Sequence, residues 1–356
     1  MLTTEFTKTL QIQYPVVLAG MGQVAGAPLV SAVSNAGGLG VVGGALYTPD
    51  QLRAILADVK SLLKDPGLPF GVDLLIPQIG GSARKTNYDY TAGKLDELID
   101  VVIESGAKLF VAAVGVPPRS VVDRLHAAGV LYMNIVGHPK HVHKACAAGA
   151  DIICAQGGEA GGHTGDIPFS VLVPACADIC RQYKSPMTGK PVMLIAGGGV
   201  SDGRSLAAGL MLGASAVWVG TRFVVAKESD APRGAKESIL QSGFDSTIRT
   251  LIFTGRPLRT LSTPYIADWE ARRQDEIRAL TQRGIIPIEH DHDRLEERGE
   301  LTEEIESQSV KRPMGIVSGM IVKGDQPARE IILQMVRQAE GLLRSAGGYV
   351  AVGSHL

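Results

Sequence analysis

Short apolar segments alternate with amphipathic ones along the chain from Pro15 to Thr221. The apolar segments are rich in Val, Ile and Leu, and polar residues do not alternate with them. Such runs are typical of parallel strands that are covered on both faces. Eight segments have this character: Pro15–Ala19, Leu39–Gly43, Phe70–Ile76, Lys108–Val114, Leu131–Val136, Asp151–Ala155, Val192–Ala196 and Ala216–Val219.

Helical periodicity fills the intervals between these strands, and a glycine follows several of the helices, as is common at helix C-termini. Repeated alternation of strand and helix predicts an α/β fold, a (β/α)8 TIM barrel, with an open doubly wound sheet as the alternative. The predicted helices are Pro28–Asn35, Asp50–Leu63, Leu95–Glu104, Ser120–Ala127, Lys140–Ala147, Val171–Tyr183 and Asp202–Leu212, and the terminating glycines are Gly106, Gly129, Gly149 and Gly213.

The pattern changes after Thr221. Residues 230–312 are rich in charge and helical in periodicity, most clearly at Asp268–Gln282 and Leu295–Ser307, and Gly324–Ser345 forms a strongly amphipathic helix. We interpret that last helix as the closing helix of the barrel. The predicted domains are therefore a barrel over 1–229 and 313–356, and a mostly helical insertion over 230–312 that acts as a lid or contacts a second subunit of a homodimer.

Composition narrows the function classes. Hydrophobic residues make up 45% and charged residues 20% of the chain, as in a folded globular enzyme. Because 35 basic residues balance 36 acidic ones, neither a nucleic acid nor an anionic membrane is an expected partner. The four cysteines lie in apolar patterns and are expected to be buried free thiols, which suits the cytoplasm. No signal peptide and no membrane-spanning stretch is recognisable.

The segment Gln156–Gly165 is the most informative one for function. It follows a predicted buried strand and contains five glycines and one histidine, His163. Glycines allow the backbone to approach a flat or charged ligand closely. A lone histidine is more often structural, but its position in a glycine-rich loop at a strand end favours a role as a base or as an anion-binding group.

Other strand ends share this richness in glycine. Gly197, Gly198 and Gly199 end strand seven, and Trp218, Val219, Gly220 and Thr221 end strand eight, where TIM barrels often bind phosphate. Tight packing turns are the alternative interpretation. The end of strand one, Ala19, Gly20, Met21 and Gly22, could pass beneath a planar ring. Asp73 lies within an apolar strand and needs a hydrogen-bonding partner, from a ligand or from the protein, or its pKa rises.

Two further histidine-containing segments are weaker candidates. His138 follows strand five, where capping of the next helix is the alternative to a role in the site. The tract His290-Asp291-His292-Asp293 has ligand types suited to a metal, but it lies in the charged insertion without a partner cluster. We therefore predict a solvated loop there and no metal site.

Taken together, these motifs resemble those of the nitronate monooxygenases, formerly called 2-nitropropane dioxygenases, which are FMN-dependent TIM-barrel flavoenzymes. The resemblance spans most of the chain. The matching segments are Ala19–Gly22, Ala32–Gly40, Phe70–Asp73, Gln156–His163, Ala196–Gly203 and Val219–Phe223.

The resemblance implies that FMN binds with its phosphate at Gly198, Gly199, Gly220 and Thr221, and its ring near Ala19 to Gly22, Gln156 and Gly161. Gly162, Gly197, Trp218, Val219 and Asp73 complete the predicted cofactor site. His163 corresponds to the catalytic histidine of a reaction in which O2 oxidises an alkyl nitronate, or a nitroalkane, to a carbonyl compound and nitrite. It would hold the nitronate or deprotonate the neutral nitroalkane. One departure is Asp73, where many members have Asn.

Two alternatives stay open at this point. The same barrel and similar motifs occur in NAD(P)H-dependent flavin reductases that act on quinones or enoyl-ACP. A barrel that binds a phosphorylated small molecule without redox chemistry is the third interpretation.

Overall fold

Eight parallel strands form a closed barrel in the computed structural model, which describes residues 2–349. The barrel strands are β1 (Val16–Leu18), β2 (Gly40–Gly43), β3 (Phe70–Leu75), β4 (Leu109–Ala113), β5 (Leu131–Val136), β6 (Ile152–Gln156), β8 (Met193–Gly197) and β9 (Ala216–Val219), numbered along the chain. Three further strands, β7 (Gly162–His163), β10 (Thr247–Thr250) and β11 (Leu258–Leu261), form a separate small sheet. The barrel order is β1-β9-β8-β6-β5-β4-β3-β2. A parallel bridge between Val17 and Leu39 joins β1 to the chain entering β2, so the TIM barrel prediction is confirmed and the open sheet is wrong.

The seven predicted helices are all present, with ends that differ by a few residues at most, whereas a helix before β1 and a short one after β9 were not predicted. Those of the barrel are α1 (Glu5–Leu10), α2 (Ala27–Asn35), α3 (Pro49–Leu62), α4 (Leu95–Ser105), α5 (Arg119–Ala127), α6 (Lys140–Ala147), α7 (Phe169–Cys180), α8 (Gly203–Met211) and α9 (Thr221–Val224). Gly106, Gly129, Gly149 and Gly213 all have positive φ angles after their helices, which confirms their predicted role.

The barrel residues pack into two apolar layers, which explains why the strands lack polar alternation. On β1, Val16 and Leu18 contact the helix layer, whereas Val17 belongs to the cluster inside the barrel. Trp218 of β9 and Cys154 of β6 lie in that inner cluster, and both are buried. Every side chain of such a strand is covered on one face or the other.

The inserted segment is mostly helical, but it also contains the hairpin β10–β11. Its helices are α10 (Arg233–Leu240), α11 (Pro264–Arg272), α12 (Gln274–Arg283), α13 (Pro287–Glu297) and α14 (Glu303–Ser309), and the closing helix is α15 (Ala328–Ser345).

Three helix predictions in this region need correction. Asp268–Gln282 is two helices, because Arg273 leaves helical geometry with φ −117°. Leu295–Ser307 is wrong as one helix, because Gly299 adopts φ 67° after α13 and Thr302 caps α14. The closing helix begins at Ala328 and not at Gly324, because Pro327 has extended geometry.

The tract at His290–Asp293 is not the predicted loop but part of α13. Asp291 is buried, and its carboxylate accepts hydrogen bonds from Tyr265 (2.7 Å) and from the guanidinium of Arg273 (2.8 Å). That guanidinium also stacks 3.3 Å from the ring centroid of Trp269. An ion pair with several hydrogen bonds, next to an apolar cluster around Trp269, gives the insertion a core of its own. Within residues 2–349 no group of side chains is arranged to hold a metal ion.

The four cysteines are unpaired, as predicted; Cys154, Cys176 and Cys180 are buried and Cys146 is partly exposed. Among the helices that the structure describes, none is both long and apolar enough to cross a membrane.

Candidate active site

The glycine-rich strand ends lie side by side, because β1, β9, β8 and β6 are neighbours in the barrel. The Ala19 N–H donates to the Val219 carbonyl (2.9 Å), and the Gly157 N–H donates to the Gly197 carbonyl (2.8 Å). A Cβ atom on Gly220 would lie 3.7 Å from Met21 Sδ. The structure therefore brings together the predicted phosphate turns and the predicted ring-binding turn.

Two of these turns expose backbone donors. Gly198 and Gly199 both have left-handed geometry, with φ 79° and 73°, which a residue with a side chain rarely adopts. In the described part of the chain, nothing accepts a hydrogen bond from the backbone N–H groups of Gly198, Gly199 or Thr221. The Thr221 hydroxyl accepts from the Gly315 N–H (3.0 Å) and keeps its own proton for a further acceptor. Such a set of donors fits a phosphate.

The remaining glycine, Trp and Val candidates have different surroundings. A Cβ atom on Gly161 would lie 2.6 Å from the Met314 carbonyl carbon, so backbone packing already requires glycine there. Gly162 has φ 73° and its Cβ position faces open space. The side chains of Trp218 and Val219 are buried in the inner and the outer cluster respectively, so a ligand would contact Val219 through its backbone.

Asp73 lies beneath the end of β1. A Cβ atom on Gly20 would be 2.4 Å from the Asp73 Cβ, so the glycine permits this packing. Asp73 is buried and its Oδ1 atom has no hydrogen-bond partner among the described residues. Burial raises the pKa of this carboxyl well above its usual range. A protonated carboxyl both donates and accepts hydrogen bonds, as an Asn side chain also does.

The pKa of Asp73 predicts an unusual pH dependence of stability. The unfolded chain loses this proton near pH 3.8, whereas the native protein keeps it to much higher pH. The native state then binds more protons, so this group lowers the free energy of unfolding as pH rises through that window. We expect Asp73→Asn to remove the effect and to stabilise the flavin-free protein at pH 8 by about 1–3 kcal/mol relative to wild type.

Urea unfolding of wild type and variant at pH 5 and pH 8 checks this expectation. The difference in the free energy of unfolding between the two proteins should be larger at pH 8 than at pH 5. Asp166→Asn is the control, because Asp166 is exposed and should show no such change. If the free energies of unfolding of Asp73→Asn and wild type differ by the same amount at both pH values, the claim that this carboxyl is buried without a hydrogen-bond partner is wrong.

Two contacts hold the backbone of His163 in place, and a third holds its ring. Residues 162–163 form β7, which pairs antiparallel with β11 of the insertion, with His163 opposite Leu258. The Gln156 side-chain amide donates to the His163 carbonyl (2.7 Å). The His163 Nε2 atom lies 3.1 Å from the Thr254 hydroxyl oxygen. The insertion therefore fixes the position of the histidine ring.

The ring of His163 is uncharged near neutral pH. Burial first, and then the positive charges of Arg256 and Lys311, lower its pKa to about 4. An imidazolium that holds an anion is therefore not favoured, and as a base the ring is a weak one, so its hydrogen-bonding capacity as a neutral group is the property that the site offers.

A cavity of about 1040 Å³ opens at the ends of β3 to β6. Gln156 and His163 are the predicted site residues in its lining, and His138 also lines it. The Nδ1 atom of His138 accepts from the Lys140 N–H (3.1 Å), so the helix-capping interpretation of His138 is confirmed.

The charged residues in the lining of the cavity are mostly basic. Its cationic side chains are Arg84, Lys140, Lys144, Arg249 and Arg256, and its carboxylates are Asp89 and Asp166. Asp166 pairs with Arg249 at 2.8 Å. A wall of this charge attracts an anionic ligand.

Sequence reasoning missed Thr254 and Arg256, which reach the site from the insertion. They are distant from His163 along the chain, and no local motif marks them. The only available signal was that an insertion after the last strand of a barrel is well placed to cover its mouth.

Comparison with known proteins places this site in context. A profile of the family described as nitronate monooxygenase matches residues 3–337. A Mycobacterium tuberculosis protein named (3aS,4S,5R,7aS)-5-hydroxy-7a-methyl-1-oxo-octahydro-1H-indene-4-carboxyl-CoA dehydrogenase is 37% identical over 270 residues, covering 76% of this chain and 69% of that protein. A probable nitronate monooxygenase of Staphylococcus saprophyticus is 31% identical over 300 residues, covering 74% of this chain and 80% of that protein.

Solved structures share the whole fold. FabK from Thermotoga maritima superposes with a TM-score of 0.77 at 26% identity, covering 98% of this chain and 100% of that one. A nitroalkane oxidase from Streptomyces ansochromogenes superposes with a TM-score of 0.75 at 25% identity, covering 96% and 99%.

Proposed function

The chain belongs to the nitronate monooxygenase family, and we propose on that premise that it uses FMN and O2 to oxidise alkyl nitronates to a carbonyl compound and nitrite. The observation that carries the proposal is the arrangement of the strand ends. Backbone donors without a partner among the described residues follow β8, at Gly198 and Gly199, and the next strand of the barrel, β9, at Thr221. On the other side of β8 lies β6, and the segment after it carries His163 at a cavity with a cationic wall. Flavin chemistry is a property of the family, and FMN specifically is our proposal.

The donor set supports FMN. The N–H groups of Gly198, Gly199 and Thr221 would hold its phosphate, and the turn from Ala19 to Gly22 would contact its ring. Protonated Asp73 has one unused oxygen and a proton, which suit a polar group of that ring. When bound, FMN supplies the oxidation and reduction chemistry.

The low pKa of His163 favours nitronates over neutral nitroalkanes as substrates. A ring with a pKa of about 4 is a weak base, and so it is poorly suited to removing a proton from carbon. A nitronate has already lost that proton. The neutral ring would then orient the substrate through a hydrogen bond, with its tautomer set by the Thr254 hydroxyl.

A second candidate function follows from the size and charge of the cavity. Its volume of about 1040 Å³ exceeds what a small alkyl nitronate fills, and Lys140 and Lys144 extend the cationic wall. The mycobacterial relative is named as a dehydrogenase of a carboxyl-CoA compound. The alternative is therefore a flavin dehydrogenase or NAD(P)H-dependent reductase that acts on a thioester or a quinone.

One pair of assays distinguishes the two functions. FMN-loaded protein is mixed under air with ethylnitronate or propionate 3-nitronate, and nitrite and O2 uptake are measured. The same protein is mixed anaerobically with NADH or NADPH, and flavin bleaching is followed. We expect nitrite release with O2 consumption and no bleaching on a catalytic timescale. Rapid bleaching without nitrite would reject nitronate oxidation in favour of the reductase.

Assembly and location stay predictions. We propose a homodimer, which sedimentation of the FMN-loaded protein tests, and a cytoplasmic location, which the unpaired cysteines suit.

A further inference from the structure

We propose that Arg256 binds the anionic group of the substrate, a planar group with two oxygens such as a nitronate or a carboxylate. The proposal rests on the proposed function for the identity of the substrate. Arg256 lies between β10 and β11 of the insertion and lines the same cavity as His163. It is close enough to that ring for its charge to act on it.

Part of the Arg256 guanidinium is fixed by the protein. Its Nε atom donates to the Asn87 side-chain oxygen (2.9 Å), and its Nη1 atom donates to the Val114 carbonyl (3.1 Å). Both partners are neutral. A guanidinium has five N–H donors, so three are left over, including both on Nη2. Among residues 2–349 no acceptor meets the Nη2 donors and no carboxylate pairs with Arg256.

The unused donors suit a two-oxygen anion. Two N–H groups of a guanidinium point in parallel and match the spacing of two oxygens that share one negative charge. Because Asn87 and Val114 already hold the group in place, little side-chain freedom is lost when an anion binds. In this assignment the charged Arg256 neutralises the anion, and the neutral His163 ring orients it.

Other cations of the wall are less suited to this role. Arg249 donates to the Gly165 carbonyl (2.9 Å) and pairs with Asp166 (2.8 Å). Arg84 is exposed, and its Nη1 atom lies 3.4 Å from the Gly255 carbonyl oxygen. Arg84 is therefore a matched control, because its removal takes one positive charge from the same wall without removing a fixed donor.

Binding of an inert ligand tests the proposal without turnover. FMN-loaded wild type, Arg256→Met and Arg84→Met are titrated with propionate and with its neutral analogue propionamide, and the change in flavin absorbance is followed. We expect Arg256→Met to weaken propionate binding at least about 10-fold and to leave the affinity for propionamide unchanged. Arg84→Met should weaken propionate less than about 3-fold.

The conservative variant Arg256→Lys keeps the charge but lacks the parallel donors, and should bind propionate more weakly than wild type. It also serves if Arg256→Met does not fold or does not retain flavin. In the Arg256 variants the KM for ethylnitronate should rise in parallel with the Kd for propionate, and kcat should change less than KM.

Equal propionate affinity in wild type and in the Arg256 variants would overturn the assignment, as would an equal loss in Arg84→Met. Failure of the proposed function is distinguishable from these results. If no nitrite forms but propionate binding still depends on Arg256, the anion site stands and the reaction is a different one.

Discussion

Replacing His163 with alanine should lower kcat/KM for a nitronate by about 100-fold or more while FMN stays bound. The loss is expected because the ring is a hydrogen-bonding group at the cavity, held in one orientation by Thr254. Flavin should be retained because the strand pairing with Leu258 and the bond from Gln156 use backbone atoms of His163, which the variant keeps. Steady-state nitrite release and the flavin-to-protein absorbance ratio measure the two effects.

His138→Ala is the matched control for this experiment. His138 lines the same cavity, but its ring caps the helix that follows, so nitronate turnover should change little. If His163→Ala loses its flavin, His163 belongs to cofactor binding. If it retains full turnover, the histidine has no part in the reaction.

The second large effect is expected at the predicted phosphate site. Gly198→Ala should weaken FMN binding by about 100-fold, since hydrogen bonds to a charged group are each worth about 1.5–3 kcal/mol. A Cβ atom at Gly198 would lie 2.7–3.1 Å from backbone atoms of Gly157, and the φ angle of 79° disfavours any side chain. The turn must move, and its N–H groups move with it. Titration of flavin-free protein with FMN, followed by fluorescence quenching, measures the affinity.

Gly189→Ala separates this local effect from general backbone strain. Gly189 also has a positive φ, 68°, but its Cβ position is free of neighbours within 4 Å. Both variants should lose about 1–2 kcal/mol of stability through left-handed backbone strain, and Gly198→Ala should lose more because of its contacts with Gly157. Gly189→Ala should bind FMN normally. Equal FMN affinity in wild type and Gly198→Ala would contradict the phosphate assignment.

The barrel could be predicted from the sequence because each strand is buried on both faces. That burial produces the apolar runs directly, and the glycines that end the helices have a local conformational cause. The clustering of the glycine turns that we propose to bind phosphate was also predictable. Neighbouring strands of a barrel end at the same edge, so the glycines after β8 and β9 had to lie near each other.

The contribution of the insertion could not be predicted in this way. His163 pairs with Leu258 through a strand of only two residues, which leaves no periodic pattern. The position of Arg256 depends on that long-range pairing. Asp73 illustrates a different limit. The sequence shows a carboxyl in an apolar strand, but only the structure shows that it packs against Gly20 and that its Oδ1 atom has no hydrogen-bond partner among the described residues.

A crystal structure of the FMN-loaded protein with propionate would show where the cofactor and the anion bind. We expect the FMN phosphate at the N–H groups of Gly198, Gly199 and Thr221, with the His163 ring facing the flavin across the bound carboxylate. A flavin that binds outside the edge formed by β1, β6, β8 and β9, or that turns its ring away from His163, would contradict this expectation.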